Sequence, residues 1–300
     1  MPAPHLLARR WHLPDVGPGA AVVVLGLLSA ITWGAGDFGG GLLSRRAPLF
    51  GIVAVTQLVG MAAALVLAVL RGEPVPGTLD IAWAIGAGIF GMAGMTMLYH
   101  GLAVGRMGVV APVTGVIGAV IPVIVSFAFE GMPPPIAIAG IVVALVAVVL
   151  VTRAPGHQVG RPSGINWALG AGIAIGGFNL CIGGFSPAGA FGPLVIVRLV
   201  QSLLLAIVIV AWRQPWRIPR DIVPKVAGIG LLDMAGNAAF IMAAQVGQLA
   251  IAAVLASLYP VMTVLLAIAL LHERLTRSHV VGVAMTALAI AMIAAGTAGT

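Results

Sequence analysis

The chain has 300 residues, of which 61% are hydrophobic and only 8% are charged. Soluble domains usually carry about 25% charged residues. This composition, with a mean hydropathy of +1.15, therefore excludes a soluble protein and predicts an integral membrane protein. The net charge of +7 does not indicate nucleic-acid binding, because the basic residues lie singly or in short groups between apolar segments. The single cysteine, Cys181, has no partner for an intramolecular disulfide.

Ten segments are apolar over about 20 residues, the length that crosses a hydrocarbon core of about 30 Å. In chain order these spans are roughly residues 19–40, 48–70, 81–102, 107–129, 133–151, 165–184, 191–212, 223–244, 250–271 and 278–296. We therefore predict an all-α integral membrane fold of ten transmembrane helices. It divides into a five-helix repeat at 19–152 and a second five-helix repeat at 163–297, after a short polar N-terminal segment at 1–18.

The two halves of the sequence share short motifs at matching places. A Phe-Gly pair stands at the same distance before Gln57 in span two and before Arg198 in span seven, at an offset of 141 residues. A Met-Ala-Gly motif begins at Met92 and again at Met234. Because each half holds an odd number of spans, the second half enters the membrane from the opposite side. We therefore predict an inverted repeat about an axis in the membrane plane, the pattern of many secondary transporters.

The first span of each half combines clustered glycines with one polar residue. Gly36 precedes Asp37 in span one, and Gly177 lies near Asn179 in span six. Close helix packing explains most of the 41 glycines. However, glycine-interrupted spans at matching places in two halves are the usual sequence sign of a central transport site. We therefore name Gly36 and Gly177 as hinge or gating candidates, together with Pro122 and Pro260, which remove backbone donors inside spans four and nine.

Two segments carry a family resemblance. Residues Trp33 to Phe38 resemble the Trp-Gly-x-(Asn or Asp)-Phe region of the EamA-type transporters of the drug/metabolite transporter superfamily. Pro260, the segment His272-Glu273-Arg274-Leu275 and Gly282 resemble the same family's Pro…Glu-Arg-Leu…Gly signature. The resemblance implies a ten-helix bundle with a central cavity and alternating access. It does not identify the substrate, since relatives carry amino acids, sugars, nucleotide sugars and drugs.

Polar residues inside the spans are candidates for substrate binding or coupling, because a charge within the bilayer costs several kcal/mol unless it faces protein or water. The candidates are Asp37, Gln57, Asn179, Arg198, Asp233 and Asn237. Asp233 and Asn237 lie one helical turn apart and share a face. As equivalent residues, Gln57 and Arg198 are expected to face each other across a shared cavity, with Asp37 and Asn179 at its other end.

The charged candidates each allow two interpretations. Arg198 could anchor a substrate carboxylate or phosphate, or form a structural pair with Asp37 or Asp233. Asp37 could be a proton site or a ligand for a substrate amine, or an end-of-helix carboxylate near Arg45 and Arg46. No sodium site is recognisable, which favours proton-coupled transport or simple exchange. No cofactor or metal is expected, because the histidines are scattered and no Cys/His spacing fits a metal site.

Two other classes compete with a transporter. The string Gly34-Ala35-Gly36-Asp37 matches the Gly-x-Gly-Asp motif of intramembrane aspartyl proteases, and Asp233 is available as the second carboxylate that this chemistry requires. The chain lacks the Tyr-Asp and Pro-Ala-Leu segments of such proteases, and an inverted repeat has no role in one. We therefore expect no enzyme. A scaffold or sensor would lack a soluble domain through which to signal.

The distribution of basic residues predicts an orientation in the cell (inner) membrane. Eleven of the 15 Lys and Arg residues lie in loops after odd-numbered spans, whereas the termini and the other loops hold three. The positive-inside rule then places both termini outside the cytoplasm; the family resemblance implies the opposite. The expected partners are the lipid bilayer and a small polar solute, without nucleic acid, and a homodimer is compatible with the sequence.

Overall fold

The chain folds into a bundle of helices connected by short loops. The structure, a computed structural model, describes residues 18–44, 46–104, 107–152, 164–271 and 276–297, and over these ranges it contains helices and no strand. The first half holds α1 (Pro18–Leu43), α2 (Leu49–Leu70), α3 (Thr78–Val104), α4 (Met107–Phe129) and α5 (Pro135–Thr152). The second half holds α6 (Ile165–Gly183), α7 (Phe191–Ala211), α8 (Val223–Val246), α9 (Leu249–Ala256), α10 (Tyr259–Leu271) and α11 (Arg277–Thr297).

These helices match the ten predicted spans. In the described ranges nine helical segments are long and apolar enough to cross a membrane, and α9 and α10 together count as one of them. The tenth is α4, which is apolar from Val113 to Phe129. The prediction of an all-α membrane fold is confirmed. The predicted N-terminal segment at 1–18 lies outside the described residues, apart from Pro18, which begins α1.

The helices pair between the halves in a pattern that is unchanged when the two repeats are exchanged. Span one (α1) packs on span eight (α8), and span three (α3) packs correspondingly on span six (α6). Span four packs on span six, as span nine (α9 and α10) packs on span one. Spans two and seven pack on each other, as do spans five and ten. Five spans in each half make the repeat inverted, and the pairing shows that the two halves interlock.

Glycines permit close contacts between these helices. At the interface of α5 with α11, a Cβ on Gly140 would lie 2.8 Å from Ile293 Cγ1, and a Cβ on Gly282 would lie 2.6 Å from Val151 Cγ2. No side chain larger than hydrogen fits at these distances without a shift of the helices. The hydrophobic effect does not drive helices together in lipid. Small residues let the two helices approach closely, so this pair is held by van der Waals packing.

The ninth span consists of two helices, whereas span four, its counterpart in the first half, is one continuous helix. Helix α9 ends at Ala256 and α10 begins at Tyr259, with Pro260 in its first turn, where the missing N–H removes no helical hydrogen bond. All eight residues of α9 are buried, so this helix lies at the centre of the bundle. Pro122, the corresponding proline of the first half, is buried within the continuous helix α4. The break therefore distinguishes the second half from the first.

Candidate functional site

A cavity of about 270 Å³ lies between the two halves. Residues from α1, α2, α3, α4, α6, α7 and α8 line it, together with Ser257 and Tyr259 at the break of the ninth span. All six polar residues that the sequence suggests are among them: Asp37, Gln57, Asn179, Arg198, Asp233 and Asn237. The fold therefore brings the predicted residues to one place, which is the arrangement expected of a solute site.

The cavity opens toward one end of the bundle. Its lining reaches Gly41 near the end of α1, Leu49 at the start of α2 and Leu98 in the last third of α3, which all lie toward the face of the basic loops. Toward the other face the bundle is filled, since Ile182 and Leu194 have no exposed surface. Among the described residues, the lining of the cavity thus extends toward the basic face and not toward the other face.

A buried arginine organises the polar wall of this cavity. The Arg198 Nη1 donates a hydrogen bond to Gln57 Oε1 at 2.6 Å, and Nη2 forms an ion pair with Asp233 Oδ2. The Asp233 side chain is 38% exposed, whereas that of Arg198 is only 5% exposed. Asn237 adds a hydrogen bond from Nδ2 to the main-chain oxygen of Asp233 at 2.9 Å. The guanidinium is neutralised within the protein, as a charge at this depth requires.

This geometry identifies the partner in the structural pair predicted for Arg198. Its ionic partner is Asp233, and no ion pair with Asp37 occurs in the described structure. The expectation that Gln57 and Arg198 face each other across the cavity is wrong, because the two side chains are in direct contact. Equivalent residues meet in this way when they lie close to the axis that relates the two repeats.

The two repeats present different side chains around this contact. Gly60 of α2 is the residue equivalent to Gln201 of α7. Gly91 of α3 is likewise equivalent to Asp233 of α8. A Cβ on Gly60 would lie 3.3 Å from Arg198 Nε, and one on Gly91 would lie 2.4 Å from Gln201 Nε2. At these two positions the first half therefore contributes space, and the second half contributes a polar side chain.

Gln201 is a site residue that the sequence reasoning missed. It lines the cavity, is 6% exposed, and its Oε1 has no hydrogen-bond partner in the described structure. A signal was available, since Gln201 lies three residues after Arg198 and therefore on the same helical face. The aromatic residues Trp33, Phe178 and Tyr259 also line the cavity. Their apolar character made them indistinguishable from ordinary core residues in the sequence.

Asp37 differs from the other charged residues of the cavity. Its side chain is exposed to the cavity and forms no hydrogen bond or ion pair with any residue that the structure describes. Gly36 beside it is buried, and a Cβ there would contact Leu232 Cβ of α8 at 3.9 Å. Asn179, its counterpart in the second half, is 8% exposed. Asp37 is therefore a charged residue of the cavity wall without a counter-ion in the described structure.

The remaining hinge candidates lie away from the cavity. A Cβ on Gly177 would lie 3.0 Å from the ring of Phe90, so this glycine seats an aromatic side chain between α6 and α3. Pro122 and Pro260 do not line the cavity, although Pro260 adjoins Tyr259, which does. The family-like segment His272 to Leu275 lies outside the described residues.

Carboxylates of the first half bind the second half at the closed end. Glu73 accepts hydrogen bonds from the N–H groups of Ala190, Phe191 and Gly192 at 2.8–3.1 Å, and so caps the N-terminus of α7. Two further carboxylates complete this set. Asp80 accepts from the N–H (2.8 Å) and the hydroxyl (2.6 Å) of Ser186, and Glu130 accepts from the N–H of Leu249 at 2.8 Å. These contacts hold the two repeats together opposite the cavity opening.

Comparison with known proteins agrees with this architecture. The model of the EamA-like transporter family matches the chain twice, at residues 20–153 and 162–295. A crystal structure with 16% sequence identity superimposes with a TM-score of 0.71, and the similarity covers 91% of this chain and 96% of that one. This likeness concerns the fold alone. A search of curated proteins finds no match.

The Arg198–Asp233 pair predicts an asymmetric double-mutant cycle. Asp233→Asn leaves a buried guanidinium without its counter-ion and is expected to lower the free energy of unfolding by about 3 kcal/mol. Arg198→Gln leaves a partly exposed carboxylate and is expected to cost less. The double variant should be more stable than Asp233→Asn alone. Thermal unfolding of the purified variants measures all three, and additive losses would contradict the pairing.

Proposed function

Because the chain belongs to the EamA-like transporter family, we propose that it is a secondary transporter that carries a small polar solute across the cell membrane by alternating access. The observation that carries this proposal is the cavity between two interlocked inverted repeats, which collects the intramembrane polar side chains and opens at one end. A site between inverted repeats can face either side by a rocking motion of one repeat against the other.

An aspartyl protease is not supported by the same cavity. That chemistry needs two carboxylates that share a proton, whereas Asp233 binds the guanidinium of Arg198. Nor does the EamA-like family consist of enzymes. A purely structural scaffold would gain nothing from an accessible polar cavity within the membrane, because unpaired polar groups there are costly.

Alternating access requires the contacts at the two ends of the bundle to exchange. In the described conformation the carboxylate contacts of Glu73, Asp80 and Glu130 join the repeats at the closed end. Opening that end exposes these carboxylates and the helix N-termini to water, which solvates both. Opening then exchanges hydrogen bonds within the protein for hydrogen bonds to water. The net free energy of this exchange is small enough for thermal motion to supply.

Coupling is assigned to Asp37. Asp233 already has a counter-ion, whereas Asp37 faces the cavity without a partner in the described structure. A carboxylate in this position can take up a proton from one side and release it to the other when the cavity changes its orientation. Transport is then driven by a proton gradient or proceeds by exchange of solute against proton.

The basic face is assigned to the cytoplasm, because eleven of the 15 Lys and Arg residues belong to loops that follow odd-numbered spans in the sequence. The cavity then opens to the cytoplasm in the described conformation, and both termini lie outside.

The first prediction concerns flux. In liposomes the protein should move at least one solute from a panel of amino acids, sugars, nucleosides and organic amines faster than protein-free liposomes do. Gly40→Trp should reduce this flux, because Gly40 lines the cavity and a Cβ there would meet no atom within 4 Å. Gly228→Trp is the matched control, since Gly228 is equally unobstructed and does not line the cavity. Absence of flux and of ligand-induced thermal stabilisation over the whole panel would contradict a transporter.

The coupling prediction uses a substitution that keeps the shape of the side chain. Asp37→Asn should make the flux independent of a pH gradient, because the amide does not titrate. Asp221→Asn removes an exposed carboxylate outside the cavity and should leave the pH dependence unchanged. The assignment fails if Asp37→Asn retains the full rate and the full pH dependence of the wild-type protein.

The orientation prediction needs only reporter fusions after Thr300. Alkaline phosphatase fused there should be active and green fluorescent protein dark, since both results require an extracytoplasmic C-terminus. The reverse pattern would show that the termini are cytoplasmic, as the family resemblance implies.

A further inference from the structure

We infer that the cavity selects a solute that carries an ammonium group with N–H donors, in preference to a neutral or anionic solute. This inference rests on the proposed transport function and names its substrate class. The inference follows from the accessibility of each charged group to a solute, and not from the net charge of the cavity alone.

Arg198 is the one cationic side chain among the described residues that line the cavity, and a solute cannot reach it. Two of the nitrogens of Arg198 are already bonded, Nη1 to Gln57 and Nη2 to Asp233. The third, Nε, lies beside Gly60 of α2, buried and without a hydrogen-bond partner in the described structure, and the whole side chain is only 5% exposed. An anionic solute would have to displace Asp233 in order to reach the guanidinium, and this would leave a carboxylate unpaired within the membrane.

The carboxylates, in contrast, are accessible. Asp37 is exposed to the cavity, and the side chain of Asp233 keeps 38% of its surface exposed while it binds Arg198. With Arg198 balancing one of the two, the charged residues of the cavity leave one negative charge uncompensated in the described structure. A cationic solute supplies the missing counter-charge, and the reduced dielectric of the cavity strengthens this interaction relative to water.

The accessible carboxylates also favour a solute that can donate hydrogen bonds. Asp37 accepts no hydrogen bond in the described structure, and the side chain of Asp233 stays 38% exposed. An ammonium group provides up to three donors, whereas a carboxylate provides none. The amide oxygens of Asn237 and Gln201 also lack partners in the described structure, but they are as deeply buried as Arg198 and do not contribute to this preference.

Aromatic rings complete the environment of a cation. Trp33, Phe178 and Tyr259 each contribute to the lining, and Trp33 is held in place by stacking on Phe240 at a centroid distance of 5.8 Å. The faces of such rings attract cations. The basic loops at the opening have the opposite effect on entry. Their influence falls off over about 8 Å at physiological ionic strength, so they affect the rate of entry more than the affinity inside.

Three phenyl compounds of similar size test the inference: 2-phenylethylammonium, 2-phenylethanol and 3-phenylpropionate. Thermal stabilisation of the full-length protein, measured over a concentration series, should show that the ammonium compound binds at least about tenfold more tightly than either of the others, which corresponds to about 1.4 kcal/mol. The same compound with a trimethylammonium group, which has no N–H donor, should bind more weakly than the primary amine.

Variants locate the source of the preference. Asp37→Asn should remove most of the preference for the ammonium compound, and Asp37→Glu should restore part of it. The exposed Asp221 lies outside the cavity, and Asp221→Asn, which removes the same charge, should have no effect. The unfolding temperature of each unliganded variant shows whether a loss of binding reflects a loss of folding.

Three results would overturn the inference. One is tighter binding of the anionic compound that disappears in Arg198→Gln. Another is equal binding of all three compounds by the wild-type protein. The third is flux, in the liposome panel, of neutral or anionic solutes without flux of amines, which would leave the transporter proposal intact. A lack of flux for every solute would instead remove the transporter proposal, and this inference with it.

Discussion

The structure depends on how a guanidinium is kept at membrane depth. Arg198 cannot lose its proton, so its charge has to be neutralised by a neighbour. Asp233 on the adjacent α8 does this, and Gln57 on α2 takes a further N–H. Three helices from both halves are thereby fixed around one side chain. The guanidinium is bonded to other side chains in the wall of the cavity. The carboxylate of Asp37 on α1 is therefore the charged group that is accessible from the cavity.

The two inverted repeats have equivalent helices, but these helices carry different side chains at equivalent positions. Where α7 carries Gln201, α2 carries Gly60; where α8 carries Asp233, α3 carries Gly91. Side chains of the second half extend into the space beside these glycines, as the distance of 2.4 Å between a Cβ on Gly91 and Gln201 Nε2 shows. The two repeats therefore pack complementary residues against each other where they meet, small ones from the first half and polar ones from the second.

Much of this could be predicted from the sequence, and the limits have physical causes. Hydrophobic length defines a transmembrane helix almost by itself, so the ten spans and the duplication were predictable. The cost of polar groups in lipid also identified six of the polar residues that line the cavity. The distance between helices was not predictable, because it depends on small residues such as Gly60, and this is why Gln57 and Arg198 are in contact instead of facing each other. Gln201 and the break at Ser257 belong to the same class of tertiary detail.

The two ends of the bundle also differ, and this difference bears on the conformation that the chain adopts. Glu73 caps α7 at the closed end, just after Gly72, whose φ is +59°. At the equivalent place on the other face Arg213 has a φ of +48° and is followed by Gln214, whose amide bonds to the main-chain oxygen of Trp212 and does not cap α2. A carboxylate at a helix N-terminus contributes about 0.3–1 kcal/mol more than a neutral group at low ionic strength. The same turn thus carries a charged cap at the closed end and a neutral side chain at the open end, which favours the conformation that opens toward the basic face.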